Sequence, residues 1–371
     1  MKKKVLFIQP YYFYGGHYFQ AFNHLIKNLH KYENYDFMVS VNKKINNQSF
    51  ENDFKKINEY KKIYTFKSSK NTMSVFNVVK AFFKCALMRK KIDIFFYYEA
   101  DIFALSCLYF FFPFLFNNKE TIVYTFYSSA FLKRRRNENI NIFFIKNFLK
   151  RKGVKFYSRS IEHRDSWRES ISGCDDKINI IPSLDYPPEE IKKVNKTRDG
   201  KLKFGSVGQI RLGKSLDFLN DYFLKNNQYE FFILGGYADK RAEENLGFIN
   251  EKFIEKKKFL EFDYITEKSS QLDYLVLLYD DYLDINTEVS SFFLAVRLRT
   301  PIICFPTNNW LRKVFSKYKS GIMINSLEEF KNFPLRDSDE YKSFIRSLEK
   351  YESDFFDTIK NENFFYNIIC K

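Results

Sequence analysis

Two series of short apolar runs, each alternating with stretches of helical periodicity and parted by a proline-bearing polar segment, predict an α/β chain. The expected architecture is two Rossmann-like, doubly wound domains facing across a cleft. At 371 residues the chain is long enough for each domain to bury its own core. The expected division is a first domain over 1–182, a linker over 183–200, a second domain over 201–336 and a helical segment over 337–371.

The first series comprises Val5 to Ile8, Phe37 to Val41, Ile92 to Tyr98, Thr121 to Phe126, Val154 to Tyr157 and Ile178 to Ile181. Short runs without strict apolar–polar alternation suit strands covered on both faces, as in a parallel sheet. The series stops at Pro182. Residues 183–200 then carry Pro187-Pro188, several charges and little periodicity, the composition of an interdomain linker.

The pattern restarts with Leu202 to Val207, Glu230 to Leu234, Phe259 to Phe262, Tyr274 to Leu278, Pro301 to Phe305 and Gly321 to Ile324. From Asp337 onward Phe344, Leu348, Phe355, Phe356 and Ile359 are spaced for one helical face. No internal repeat stands out in the sequence.

Composition removes several classes. The five cysteines, Cys85, Cys107, Cys174, Cys304 and Cys370, form no CxxC pair and are odd in number, which fits neither a disulfide framework nor a zinc site. The start, Lys2-Lys3-Lys4 followed by Val5 to Ile8, is cut off by Gln9 and Pro10 before it becomes a signal-peptide core. The most apolar segment, Phe103 to Phe116, is too short to span a bilayer core of ~30 Å and is broken by Pro113. A cytoplasmic chain without a transmembrane helix is expected.

The net charge of +16 is placed unevenly. Residues 1–182 hold 32 Lys and Arg against 15 Asp and Glu, and the remainder holds 29 against 30. Lys133-Arg134-Arg135-Arg136 precedes Ile140, Ile142, Phe143, Phe144, Ile145, Phe148 and Leu149, and Lys150-Arg151-Lys152 follows. This basic, aromatic, amphipathic segment suits an anionic bilayer surface, with Arg134, Arg135 and Arg136 as the leading patch. A solvated basic helix is the plainer alternative.

Two glycine turns carry the chemistry. In the second half, Phe204 to Val207 runs into Gly208-Gln209-Ile210-Arg211-Leu212-Gly213-Lys214-Ser215, where freed N–H groups, a guanidinium and an ammonium suit a phosphate. In the first half, Pro10 to Tyr14 leads into Gly15-Gly16-His17 at the end of the first predicted strand, where ligands bind in open α/β sheets. His17 there suits a general base. Glu99 and Asp101, after the Ile92 to Tyr98 strand, are alternative bases, partners for His17, or simple helix caps.

The order of these features resembles GT-B fold glycosyltransferases, especially glycosyltransferase family 4, over nearly the whole chain. In that family a Gly-Arg-Leu turn and a downstream lysine bind the donor diphosphate; here Gly208 and Lys214 match, Gln209 stands at the arginine place, and Arg211 is the substitute within the loop. The strand ending in Gly235-Gly236 is similar to the family's turn beside the nucleotide. The segment Phe262-Asp263-Tyr264-Ile265 resembles the one whose backbone meets the base. The family's glutamate pair is altered: Asn286 and Leu294 occupy those places, while Glu288, Ser290 and Ser291 stand nearby at a predicted helix start. Tyr127 stands where the family carries a histidine. The Gly-Gly-His turn also resembles inverting GT-B enzymes, so the stereochemical course stays open between retaining and inverting.

The resemblance implies a glycosyltransferase, with a hexose the expected cargo, acting in bacterial glycan biosynthesis such as lipopolysaccharide or capsule. The first domain would bind a lipid-linked or oligosaccharide acceptor and the second a UDP- or GDP-sugar co-substrate, with no cofactor and no metal. Donor contacts would come from Gly15, Gly16, Gln209, Arg211, Lys214, Gly236, Tyr264, Glu288, Ser290 and Ser291. Tyr12, Tyr14 and Tyr127 would contact acceptor or sugar. The enzyme would sit peripherally on the inner face of the cell membrane and bind no nucleic acid. Rival readings are a GT-B nucleotide-sugar epimerase or phosphorylase, or a non-catalytic basic nucleic-acid binder.

Overall fold

The computed structural model describes residues 2–8, 34–40, 87–98, 108–110, 119–125, 138–180, 200–255, 260, 262–279 and 288–361. The described residues fall into two compact units, those up to residue 180 in the first and those from residue 200 onward in the second.

The first unit holds a parallel sheet of β1 (Lys3–Ile8), β2 (Tyr35–Ser40), β3 (Ile94–Tyr98), β4 (Glu120–Thr125), β5 (Val154–Ser158) and β6 (Ile178–Ile180). These are the six strands expected from the sequence. All five residues of β3 are buried, the signature of a strand covered on both faces. One cover is α1 (Glu138–Leu149), whose Ile145, Phe148 and Leu149 join the core. In α2 (Ile161–Ser170), Trp167 meets Phe156 of β5 edge-on, with ring centroids 5.3 Å apart. This helix starts at Ser160, whose hydroxyl accepts the His163 N–H at 3.2 Å, a cap typically worth ~1 kcal/mol.

The second unit holds a parallel sheet of β7 (Lys203–Val207), β8 (Glu230–Leu234), β9 (Tyr274–Leu277), β10 (Ile302–Cys304) and β11 (Gly321–Met323). Its helices are α3 (Leu216–Lys225), α4 (Lys240–Leu246), α5 (Phe262–Ser269), α6 (Ser290–Leu298), α7 (Asn309–Lys317) and α8 (Asp339–Asn361). The core is unusually aromatic: Phe204 of β7 stacks on Tyr274 of β9 at 5.4 Å, and Phe223 of α3 stacks on Phe231 of β8 at 4.4 Å.

Of the run Phe259 to Phe262, expected as a strand, the described residues are Leu260, outside any strand, and Phe262, which opens α5; Ile254 makes an isolated parallel bridge with Ile233 of β8. Leu260 is buried.

Strand order is β2-β1-β3-β4-β5-β6 in the first sheet and β11-β10-β9-β7-β8 in the second. Numbered from its own first strand, each sheet reads 2-1-3-4-5, the first adding a sixth strand. The order reverses between β1 and β3 and between β7 and β9. Those carboxyl-end crevices are where open α/β sheets bind ligands.

The opposite ends of the two sheets carry the same device. Asp93, just before β3, accepts the Lys4 N–H at 2.9 Å and returns its own N–H to the Lys4 carbonyl at 2.9 Å. Asp273, just before β9, does the same with Lys203, at 2.7 Å in each direction. Each aspartate therefore fixes the register between the first and third strands of its sheet.

Candidate functional site

The site lies at the carboxyl ends of β7 and β9, where the second sheet reverses. After Val207 the chain turns at Gly208, whose φ of +94° is a left-handed value that favours glycine. The turn is pinned to the end of β8: the Gly208 N–H donates to the Leu234 carbonyl at 3.0 Å, and the Ile210 N–H to the Gly236 carbonyl at 2.9 Å. Gly235 permits this approach, since a Cβ there would lie 2.0 Å from the Gly208 carbonyl oxygen.

Lys214 comes back over this turn. Its side chain is buried, and Nζ donates to the Val207 carbonyl at 3.2 Å. Nζ also lies 3.6 Å from where a Gly208 Cβ would be, so the ammonium sits directly against the turn. Burial pushes the Lys214 pKa down, the Tyr279 hydroxyl opposes the shift through its charge and a hydrogen bond, and the nearby Arg211 guanidinium adds to it. A bound anion would offset the cost of keeping this ammonium charged.

Tyr279, two residues beyond β9, completes the group. Arg211 Cζ and Lys214 Nζ each lie 5.4 Å from its ring centroid, within cation–π range. The Tyr279 carbonyl accepts the Thr307 hydroxyl at 2.8 Å, which ties it to the loop beyond β10. Three strand ends thus converge on two cations. The sequence reading passed over Tyr279, although its place just past the Tyr274 to Leu278 run put it at a predicted carboxyl edge.

The remaining donor candidates are dispersed in their surroundings. Gln209 is exposed. Gly236 holds the β7 turn through its carbonyl. Tyr264 lies in α5, where its hydroxyl bonds the Glu255 carboxylate; Lys268, one turn on, pairs with the same carboxylate at 3.0 Å. Glu288 is buried just ahead of α6. Ser290 and Ser291 are the first two residues of α6, whose N-cap is Val289, so neither serine is the cap residue.

The sequence's other candidates, His17, Glu99, Asp101, Gly15, Gly16, Tyr12, Tyr14, Tyr127, Arg134, Arg135 and Arg136, lie outside the described residues. Within α1 the apolar set divides: Ile145, Phe148 and Leu149 face the core, whereas Phe143 is exposed. Phe110 is exposed as well, and it meets Phe144 edge-on at 4.9 Å. Lys150, Arg151 and Lys152 at the end of α1 are exposed. Among the described residues no helix is long and apolar enough to cross a membrane, and no cluster of His, Cys, Asp and Glu is suited to a metal.

No family model matches the sequence, and no curated protein sequence matches it. Solved structures do match the fold. Sucrose-phosphate synthase from Thermosynechococcus elongatus superposes with a TM-score of 0.59 at 11% identity, over 95% of this chain and 90% of that one. With two parallel sheets, this likeness decides the architecture. The fold is GT-B. The GT-B likeness extends to the catalytic domain of starch synthase IV from Arabidopsis thaliana bound to ADP and acarbose, with a TM-score of 0.59 at 9% identity over 94% of each chain. A UDP-N-acetylglucosamine 2-epimerase shares the GT-B fold too, with a TM-score of 0.58 at 9% identity over 94% of this chain and 91% of that one.

Proposed function

We propose that the chain is a glycosyltransferase that moves a sugar, a hexose on this reading, from a nucleoside diphosphate donor to a lipid-linked or surface-polysaccharide acceptor. The observation that carries this is the buried Lys214 ammonium beside Gly208 at the β7–β9 reversal, with Arg211 close by. Two cations at one glycine turn suit a leaving diphosphate, whose growing charge they would stabilise during transfer. Gly236, Gln209, Tyr264, Glu288, Ser290 and Ser291 are the further donor candidates, joined by Gly15 and Gly16. The base, on an inverting route, is sought at His17, Glu99 or Asp101, and acceptor contacts at Tyr12, Tyr14 and Tyr127. The fold match to enzymes of sugar-nucleotide chemistry supports the same substrate class.

The exposed Phe110 and Phe143, together with the exposed Lys150, Arg151 and Lys152 at the end of α1, support the peripheral, inner-face placement on an anionic membrane, to which Arg134, Arg135 and Arg136 would add. The domain division proposed from the sequence gives the acceptor to residues 1–182 and the donor to 201–336.

The test is calorimetric titration with UDP-, GDP-, ADP- and CMP-sugars. One class binds, and Lys214→Ala weakens it by on the order of 1.5 to 3 kcal/mol, the usual range for a charged hydrogen bond. Full affinity in Lys214→Ala overturns the site. The fold match to a UDP-N-acetylglucosamine 2-epimerase favours one second reading, epimerisation of the nucleotide sugar. Nucleoside diphosphate released only when acceptor is present decides for transfer.

A further inference from the structure

From the geometry at the β7–β9 reversal we infer that Tyr279 is a positioning residue for the anion site, its ring and hydroxyl holding Arg211 and Lys214 together so that both cations meet one diphosphate. The inference rests on the donor reading above and names a residue that the reading does not use. Arg211 Cζ and Lys214 Nζ belong to one loop and each lies 5.4 Å from the same ring centroid. Two like charges this close to a common ring repel, and one of them is buried. The negative face of an aromatic ring offsets that repulsion without neutralising either cation, as a carboxylate would. A carboxylate would also compete with the incoming anion; a ring does not.

The ring is itself held. β9 lies beside β7 in the sheet, so Tyr279 projects from the strand end adjacent to the loop it serves. The Thr307 hydroxyl fixes its carbonyl from the third strand end. Three neighbouring elements therefore set the spacing of the two cations before any ligand arrives, which lowers the ordering cost of binding.

The probe is inorganic pyrophosphate, titrated calorimetrically into the full chain. Tyr279→Leu is expected to weaken binding about tenfold, and Tyr279→Phe, which keeps the ring but loses the hydroxyl that bonds Lys214, to fall between the leucine variant and wild type. Tyr279→Met, flexible and ringless, serves if the leucine variant does not fold, and is expected to match it. In an Arg211→Ala background the loss from Tyr279→Leu shrinks, because one of the two cations it positions is gone. Wild-type affinity in Tyr279→Leu or Tyr279→Met, equal weakness in Tyr279→Phe, or full additivity with Arg211→Ala overturns the positioning role. Pyrophosphate affinity unchanged in Lys214→Ala overturns the donor reading instead, so the two failures are distinct.

Discussion

Lys214 is held where its charge is costly, and the sign of that cost is testable. Its pKa is lowered from the ordinary 10.5 by burial first. Between the lowered folded value and 10.5 the unfolded chain binds more protons, so stability rises with pH across that window. Wild type is therefore expected to gain stability relative to Lys214→Met as pH climbs toward 10.5, while at neutral pH the methionine variant melts higher and loses pyrophosphate binding. Thermal melts at several pH values, paired with titrations, check both halves. Gly235→Ala is expected to cost about 1 to 3 kcal/mol in urea denaturation, because its Cβ would meet the Gly208 carbonyl at 2.0 Å and the turn must move. At this scale the loop's glycine turn and its two cations were legible from residue type and spacing. Tyr279 was not, since in sequence it reads as the tail of an apolar strand, and only the neighbouring of β7 and β9 brings its ring to Arg211 and Lys214.

Among the elements, β9 shows how much one pairing holds. Asp273 is fully buried, accepts the Lys203 N–H, and is met by the Arg336 guanidinium through two nitrogens, the second at 2.6 Å from Oδ2. Tyr341 of α8 donates to the Asp273 carbonyl at 3.1 Å. Arg336→Met would strand a buried carboxylate, with an expected loss of about 3 to 5 kcal/mol; Asp273→Asn added to it should restore part of the loss in equilibrium urea unfolding. Strands covered on both faces were legible because burial leaves little choice of residue, as in β3. Phe259 to Phe262 has the same apolar look, yet Leu260 lies outside any strand and Phe262 opens a helix, a difference that residue type alone does not record.

For the whole molecule, the two parallel sheets were readable from the two series of runs, and their repeated 2-1-3-4-5 order was not, because strand neighbours are set by crossover direction. The charge asymmetry bears on binding at this scale. All of the excess positive charge lies in residues 1–182. Sedimentation with vesicles containing anionic lipid is expected to fall when Lys150, Arg151 and Lys152 are changed to Gln, and to weaken as salt is raised. Undiminished sedimentation in that variant removes α1 from the membrane reading.

The link from Arg336 has a temporal side. Its guanidinium donates to the Lys201 carbonyl across 135 positions as well as to Asp273. During synthesis, β7 and β9 leave the ribosome long before their clasp exists. Until Arg336 emerges, the half-made sheet carries an acid with no counter-ion, and the growing chain is most open to proteases and to chaperones. Ribosome-stalled chains ending short of Arg336 should be cut readily within β7 to β9, and those extending well past it should resist.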